Sequence, residues 1–361
     1  MSKMIKNIYP TLCTYENLYN AYLEARKNKR FRNEVLEFTF NLEENLMELS
    51  TELKNKTYKI SGYREFVIYD PKERLIMALP FRDRVVQWAI YQLINPTFDK
   101  SYIDDSFGCR VGKGTHSAVK RLHYWLNQVD RKPNKYYYLK LDISKYYYRV
   151  DHNILINILD QKIKGKDLLD LLKGIINFNE VPFGLKLKGD INNPDDRLYD
   201  RGMPIGNLTS QMFANLYLNE LDQLCKRKLR IKHYIRYMDD VVILSEDKKL
   251  LQEYKSIIEE FLNTKLNLHL NNKTAIRPIS LGVEFVGFRI WPTHIKMRKS
   301  TSLKMKRRLK YVKKQYEQNK LPFEKVNATV QSYMGIMKHC NSFCLQKKIF
   351  DSYILSSNNE E

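Results

Sequence analysis

The chain has 361 residues, 43% of them hydrophobic, with 62 lysines and arginines against 41 acidic residues, a formal charge of +21. That length holds one to three domains, the apolar share permits a real core, and the cationic excess points to a polyanionic partner, nucleic acid ahead of membrane. No apolar run approaches the roughly 18 residues of a membrane span, and the start MSKMIKNIYP lacks a signal-like apolar segment, so spanning and secreted readings are set aside.

Within residues 14–58, TYENLYNAYLEARKNKR and NEVLEFTFNLEENLMELSTEL space apolar residues by three and four with charges between, which predicts helices. Thr14 precedes the first as a cap; Asn17 rather than Glu follows three residues on, so the capping box is incomplete. From Ser61 the pattern changes, and REFVIYDPKERLIMALP predicts two short strands around the turn Asp70-Pro71-Lys72-Glu73. DRVVQWAIYQLINPTF then reads as a helix ending near Pro96, and GCRVGKGTHSAVKRLHYWLNQ as a glycine-containing loop feeding another. NKYYYLKLDIS, residues 134–144, predicts a core strand ending at Asp142. Residues 153–176 are mostly apolar-periodic helix, 181–202 are polar and turn-rich with hairpin character, and Leu208 to about Leu229 is a strong helix. A strand at 234–244, a helix at 249–264, a loop around Leu268–Lys273 and a short strand pair at 283–297 follow. A basic helical region at 301–318 and a closing segment to Phe350 complete the order, and the tail SSNNEE is expected to fray. Five scattered cysteines (13, 109, 225, 340, 344) suggest a reducing compartment without a disulfide framework. Cys340 and Cys344 lie beside His339, but no second Cys/His pair follows, and a buried helix face explains them at least as well as zinc.

Two of these strands deliver carboxylates. YIRYMDDVVILS, residues 234–245, sets Asp239 and Asp240 at the head of an apolar run. An Asp pair there is often a turn, since Asp bonds readily to nearby backbone. If that strand lies beside the one ending at Asp142, however, three carboxylates converge at one edge of an antiparallel sheet backed by helices. Nothing nearby in sequence could pair with all three, so a divalent metal is the natural counter-charge. Mg²⁺ prefers hard oxygen ligands plus phosphate oxygens, and two ions about 4 Å apart can activate a 3′-hydroxyl and hold a leaving pyrophosphate.

At these residues the chain resembles a reverse transcriptase of the bacterial branch, most closely those of diversity-generating retroelements, from about Tyr19 to about Leu345. LDISKYYYRVDH resembles palm motif A, and the resemblance makes Asp142 a metal ligand and Tyr147, five residues on, the ring that closes against the sugar and rejects ribonucleotides. Core filling remains the plain alternative for two of Tyr146 to Tyr148. GMPIGNLTSQ resembles motif B, whose loop and helix support template base and nucleotide, with Gly206 allowing close approach and Gln211 pointing to the pocket. The form Ile205-Gly206-Asn207-Leu208-Thr209-Ser210-Gln211 favours the diversity-generating branch; a helix start capped by Asn207 or Thr209 is compatible with it. YMDD is motif C, which implies Asp239 as the main carboxylate, Asp240 as its weaker neighbour and Met238 against the terminal primer pair. LHLNNKTAI resembles motif D, where Lys273 stabilises or protonates the departing pyrophosphate, or is an ordinary surface lysine. FVGFRI resembles the primer grip. PKER and LPFRDRVVQ resemble the fingers, with Lys72 and Arg74 meeting the triphosphate; Arg82 and Arg84 are weaker candidates, since Asp83 between them suggests an internal ion pair. GKGT in CRVGKGTHSAV is not a P-loop, and Lys113 and His116 are read as template contacts. SYMGIMKHCNS resembles the thumb closure.

The resemblance implies an α+β right-hand polymerase: an N-terminal helical extension to 58, fingers over 59–134, an antiparallel palm with finger-like inserts and the primer-grip hairpin over 135–298, and a basic helical thumb from 299. From Lys296 to Lys320 there are 11 Lys or Arg, and Met305, Leu309, Val312 and Tyr316 form an apolar stripe at helical spacing. One face can therefore pack while Lys304, Arg307, Arg308 and Lys310 follow a duplex backbone. Implied partners are an RNA template, a DNA or RNA primer, dNTPs, Mg²⁺ (Mn²⁺ as a substitute), a structured non-coding RNA and a small basic accessory protein, in the cytoplasm of a bacterium or encoded by a phage. The chain ends soon after the thumb, so RNase H, endonuclease and integrase functions are expected elsewhere. A phage-defence reverse transcriptase, a catalytically idle RNA-binding scaffold and a metal-dependent nuclease are the alternatives; intact carboxylates argue against the scaffold, and the fingers, gate and grip against the nuclease.

Overall fold

The computed structural model describes residues 4–69, 72–351, 353 and 355; Asp70 and Pro71 of the expected turn, and the tail SSNNEE, lie outside them. The chain starts with β1 (Ile5–Lys6), α1 (Tyr9–Leu12) and α2 (Tyr15–Ala25). Thr14 Oγ1 accepts the Asn17 N–H at 3.2 Å, the expected cap without the reciprocal half of a box. What the spacing predicts as one long second helix is two, α3 (Asn33–Phe40) and α4 (Leu42–Lys54), because Asn41 leaves helical geometry at φ −110°, ψ 46°. The strands β2 (Arg64–Tyr69) and β3 (Glu73–Ala78) pair as the antiparallel hairpin expected. Helix α5 (Phe81–Asp99) runs through Pro96 rather than ending there. Ile94 and Phe98, both buried on either side of it, hold that last turn against the cost of one missing hydrogen bond.

After β4 (Ser106–Phe107) and α6 (Thr115–Asp130) comes the predicted core strand, β5 (Tyr137–Asp142), and the short α7 (Tyr146–Arg149). The stretch 153–176 is two helices, α8 (His152–Asp160) and α9 (Lys166–Ile176), parted at β6 (Ile163–Lys164), which pairs in parallel with β1. The turn-rich segment holds the expected hairpin, β7 (Gly184–Leu185) and β8 (Arg197–Leu198). Its Arg197 forks onto Glu65 of β2 at 2.8 and 3.0 Å. Helix α10 (Leu208–Gln223) continues into a π-helical turn, Leu224–Lys228. The single strand expected at 234–244 is instead a tight hairpin, β9 (His233–Tyr237) and β10 (Asp240–Ser245), turning at Met238-Asp239. Then come α11 (Lys248–Lys265) and β11 (Ala275–Pro278). The expected strand pair is a three-stranded meander, β12 (Val283–Phe285), β13 (Phe288–Ile290) and β14 (Ile295–Met297). Helices α12 (Lys299–Glu317), α13 (Phe323–Met337) and α14 (Phe343–Phe350) close the chain.

The central sheet runs β11-β5-β10-β9-β4. Its first three pairings are antiparallel, but β4 lies parallel to β9, so the sheet is mixed rather than antiparallel throughout. A parallel neighbour needs a crossover connection, and everything from α6 to α10 lies between those two strands in the chain. Period-two alternation splits β10 between two cores. Val241 and Ile243 join Leu139 and Leu141 in the larger core, with residues of α2, α5, α10 and α11. Val242 and Leu244 face Leu122, Trp125 and Leu126 of α6 and Phe285, Phe288 and Ile290 of the meander. Covered on both faces, β10 has no polar side and reads as a continuous apolar run. A separate cluster of Met297, Met305, Leu309, Met337 and Ile349 joins α12 to α13 and α14. Among the described residues no helix is long and apolar enough to cross a membrane.

Candidate active site

The register of two strands builds the site. Asp142, the last residue of β5, is the cross-strand partner of Asp240, the first residue of β10, and Asp239 sits in the turn beside it. Lys140, one pleat before Asp142, donates to Asp240 Oδ2 at 3.3 Å and to the Glu284 carbonyl of β12 at 2.7 Å. Asp240 Oδ1 is buried, lies 3.3 Å from the same ammonium and accepts no hydrogen bond. Burial pushes the Asp240 carboxyl up to about 6, with Lys140 opposing and Asp239 and Asp142 adding. Burial also raises Asp239, reinforced by Asp142 and opposed by Arg74 and Lys72. Asp142 Oδ2 accepts from Asn271 Nδ2 at 2.5 Å, and its carbonyl accepts the Asn271 N–H at 2.9 Å.

Three crowded carboxylates, two of them shifted toward the neutral form and one with an orphaned buried oxygen, fit a cation. Among the described residues, though, no group of three or more His, Cys, Asp or Glu side chains is gathered closely enough to form a metal cage. A divalent cation held by one or two carboxylates, its shell completed by water and phosphate oxygen, is compatible with that spacing. Lys140 and Asn271 each meet one of these carboxylates, Asp240 and Asp142, and neither meets all three. Lys140 had a signal, a lone cation in an apolar strand two residues before Asp142; Asn271 had none.

The other expected residues divide. Tyr146 is a buried core residue whose hydroxyl donates to the Ala214 carbonyl at 2.6 Å, and Tyr148 accepts the Leu75 N–H at 3.2 Å. Tyr147, between them, is half-buried, its hydroxyl held neutral by burial, with Asp239 and Arg74 in its electrostatic surroundings. Its carbonyl accepts the Met203 N–H at 2.7 Å, tying it to the loop that carries Gly206. Gly206 has φ +125°, and an added Cβ would lie 3.2 Å from the Met77 carbonyl oxygen, so this loop lies against β3. Gln211 is half-buried in the first turn of α10. That turn is capped neither by Asn207 nor by Thr209: Gln87 Oε1 of α5 accepts the Leu208 N–H at 3.0 Å, and Asn207 donates to the Tyr63 hydroxyl at 2.9 Å. Lys72 and Arg74 are exposed on the β2–β3 hairpin, within the electrostatic reach of Asp239.

Lys273 is exposed, and its backbone N–H donates to Asn271 Oδ1 at 2.7 Å; no described interaction joins its ammonium to the carboxylates. Arg82 pairs with Glu52 and Arg84 with Glu34, while Asp83 is buried and accepts from the Tyr58 hydroxyl at 2.7 Å. These pairs belong to the scaffold. Lys113 donates to the Asp104 carbonyl at 2.8 Å, and the His116 ring stacks 3.5 Å from that of His339. Met238 is buried and turns at φ +51°. Lys304, Arg307, Arg308 and Lys310 are exposed on α12, whose Met305, Leu309 and Val312 are buried.

An α+β domain that gathers carboxylates at the end of its central strand pair, with cations on a facing hairpin, falls in the class of polymerase-like domains. Within that class the chain belongs to the reverse transcriptase (RNA-dependent DNA polymerase) family, matched over residues 69–290. It is 24% identical to protein YkfC of Escherichia coli (strain K12), over 58% of this chain and 61% of that protein. It is 22% identical to the group II intron-encoded protein LtrA of Lactococcus lactis subsp. cremoris, over 97% of this chain and 64% of the relative. The chain thus spans less than two-thirds of the length of either relative. Among solved structures, apo telomerase from Candida tropicalis is similar in fold, with a TM-score of 0.50 at 12% identity over 81% of this chain and 60% of that one.

Proposed function

We propose that the protein synthesises DNA on an RNA template, adding dNTPs to a DNA or RNA primer. The observation that carries this reading is the direct pairing of Asp142 with Asp240 beside the Asp239 turn. Asp142 and Asp239 would hold Mg²⁺, with Asp240 assisting. Bound there, the metal would lower the pKa of a primer 3′-hydroxyl and offset the charge of the triphosphate. Arg74 and Lys72 neutralise the triphosphate from the β2–β3 hairpin, and Tyr147 fills the space a 2′-hydroxyl would need. Lys273, exposed in the turn before β11, would supply positive charge to the leaving pyrophosphate. In this reading β2, β3 and the surrounding residues 59–134 act as fingers, 135–298 as palm and the helices from 299 as thumb. Residues 205–211, IGNLTSQ, support a role in a diversity-generating retroelement, with a structured RNA and a basic accessory protein as partners. A neighbouring pair of imperfect repeats differing mainly at adenines would distinguish this role from phage defence.

The test is extension of a labelled primer on RNA with four dNTPs and Mg²⁺, alongside equilibrium binding. Asp142→Asn and Asp239→Asn should each nearly abolish extension, while primer–template affinity survives because phosphate contacts elsewhere supply most attraction. Asp240→Asn should lower extension less. Robust synthesis by either of the first two variants would sink the metal assignment.

A further inference from the structure

Behind the carboxylates lies a buried ion pair that the chemistry above does not use. Arg236 of β9 and Asp222 of α10 are both 0% exposed. The guanidinium has five N–H donors, and five hydrogen bonds leave it. Two go to Asp222, from Nε at 2.7 Å and Nη2 at 2.6 Å, and one goes from Nη2 to Ser106 Oγ at 2.9 Å. The Nη1 donates to Asn215 Oδ1 at 3.3 Å and to the Met238 carbonyl at 3.0 Å. That last acceptor is the peptide oxygen joining Met238 to Asp239.

Met238 is the first residue of a two-residue hairpin turn, where positive φ is ordinarily supplied by glycine. A side chain there is strained and persists only where its surroundings over-determine it. They do so here. The Met238 N–H donates to the Phe107 carbonyl at 3.1 Å. Its side chain occupies the space a Cβ on Gly108 would need, 2.8 Å from Met238 Cγ. Asn215 Nδ2 donates to the Gly108 carbonyl at 2.9 Å, so the residue that receives Arg236 also holds the glycine facing Met238. A buried ion pair is a poor source of net stability, whereas a saturated guanidinium fixes direction well.

We propose that Arg236 is a positioning residue: it clamps the Met238 carbonyl and thereby sets the orientation of the following residue, Asp239. The proposal rests on the polymerase reading, and its test carries a second readout that does not. In Arg236→Lys the charge opposite Asp222 is kept, but one ammonium cannot also reach Met238, Asn215 and Ser106. Asn215→Ala removes the bridge to Gly108 and leaves the ion pair intact. Each variant is compared with wild type for kcat, primer–template Kd, thermal unfolding and the methyl resonance of ¹³C-methyl-Met238, assigned through Met238→Leu. The expected result is a shifted or broadened Met238 resonance and a kcat lowered by up to roughly 10²-fold in Arg236→Lys, with Kd near wild type. Asn215→Ala should move both readouts in the same direction by less. A folded Arg236→Lys with wild-type resonance and kcat would overturn the proposal; if that variant does not fold, an unchanged resonance in Asn215→Ala does so. Failure of wild type to extend a primer would instead refute the polymerase reading, with the resonance still reporting on the clamp.

Discussion

Asp239 is both things an aspartate pair can be: it forms a turn, and it stands beside two other carboxylates in a buried setting. The sequence suffices to find such residues, since a carboxylate at the end of an apolar strand conflicts with its surroundings. It does not find the amides that serve them. Asn271 meets Asp142 across 129 residues and Gln87 meets Leu208 across 121, and an amide carries no mark of the distant backbone it will bond. The three consecutive tyrosines were separable only in part: the resemblance to motif A singles out Tyr147, and the structure shows its neighbours bonded to Ala214 and Leu75. Tyr147→Ala should therefore relax sugar discrimination by opening space beside Asp239. Single-turnover incorporation of dNTPs against rNTPs measures this, and an unchanged ratio would remove Tyr147 as the gate.

Elements were legible where periodicity was clean, as in α6, β5 and α10, and misread where packing overrode the local signal: α3 and α4 part at Asn41, and α5 runs through Pro96. The β9–β10 hairpin read as one strand because its turn opens on methionine, at φ +51°, where glycine is the usual residue; the clamp around it supplies what Met238 lacks. Helix α10 depends likewise on a neighbour, since its first N–H is capped by Gln87 of α5. Gln87→Ala should cost about 1 kcal/mol of stability, as for removal of a cap, read from urea midpoints. His233 of β9 offers a pH test. Burial, then nearby lysines and Arg121, lower its pKa from 6.5 to about 4, with the ring against Trp125 at 5.4 Å. Folding thus favours the neutral ring, and this contribution is whole above the unfolded value and disappears as pH falls from about 6.5 toward 4. Between pH 7 and 5 wild type should lose more stability than His233→Gln; parallel losses would assign the acid sensitivity elsewhere.

For the whole molecule, the charge of +21 and the ordered motifs led to the family, while the mixed pairing of β4 depended on a crossover that local patterns do not encode. Helix α12 shows the division of labour in the proposed thumb: Met305, Leu309 and Val312 pack inward, and Lys304, Arg307, Arg308 and Lys310 are exposed. Replacing those four with Gln should weaken primer–template binding regardless of sequence. It should also reduce the salt slope by up to about one unit for each phosphate no longer neutralised. Unchanged affinity and slope, in a variant with wild-type circular dichroism, would leave the four residues as solubilising charge and put the duplex on another surface. The pairing of β5 with β10 has a further consequence, in time rather than space. Lys140 and Asp240 are 100 residues apart, and β11, which covers the other edge of β5, comes later still. At about 5–20 residues per second, a growing chain carries β5 for roughly 5–20 s before the strand that completes the carboxylate pair has been made. Through that interval an apolar strand with both edges bare is open to pairing with its neighbours on the same message.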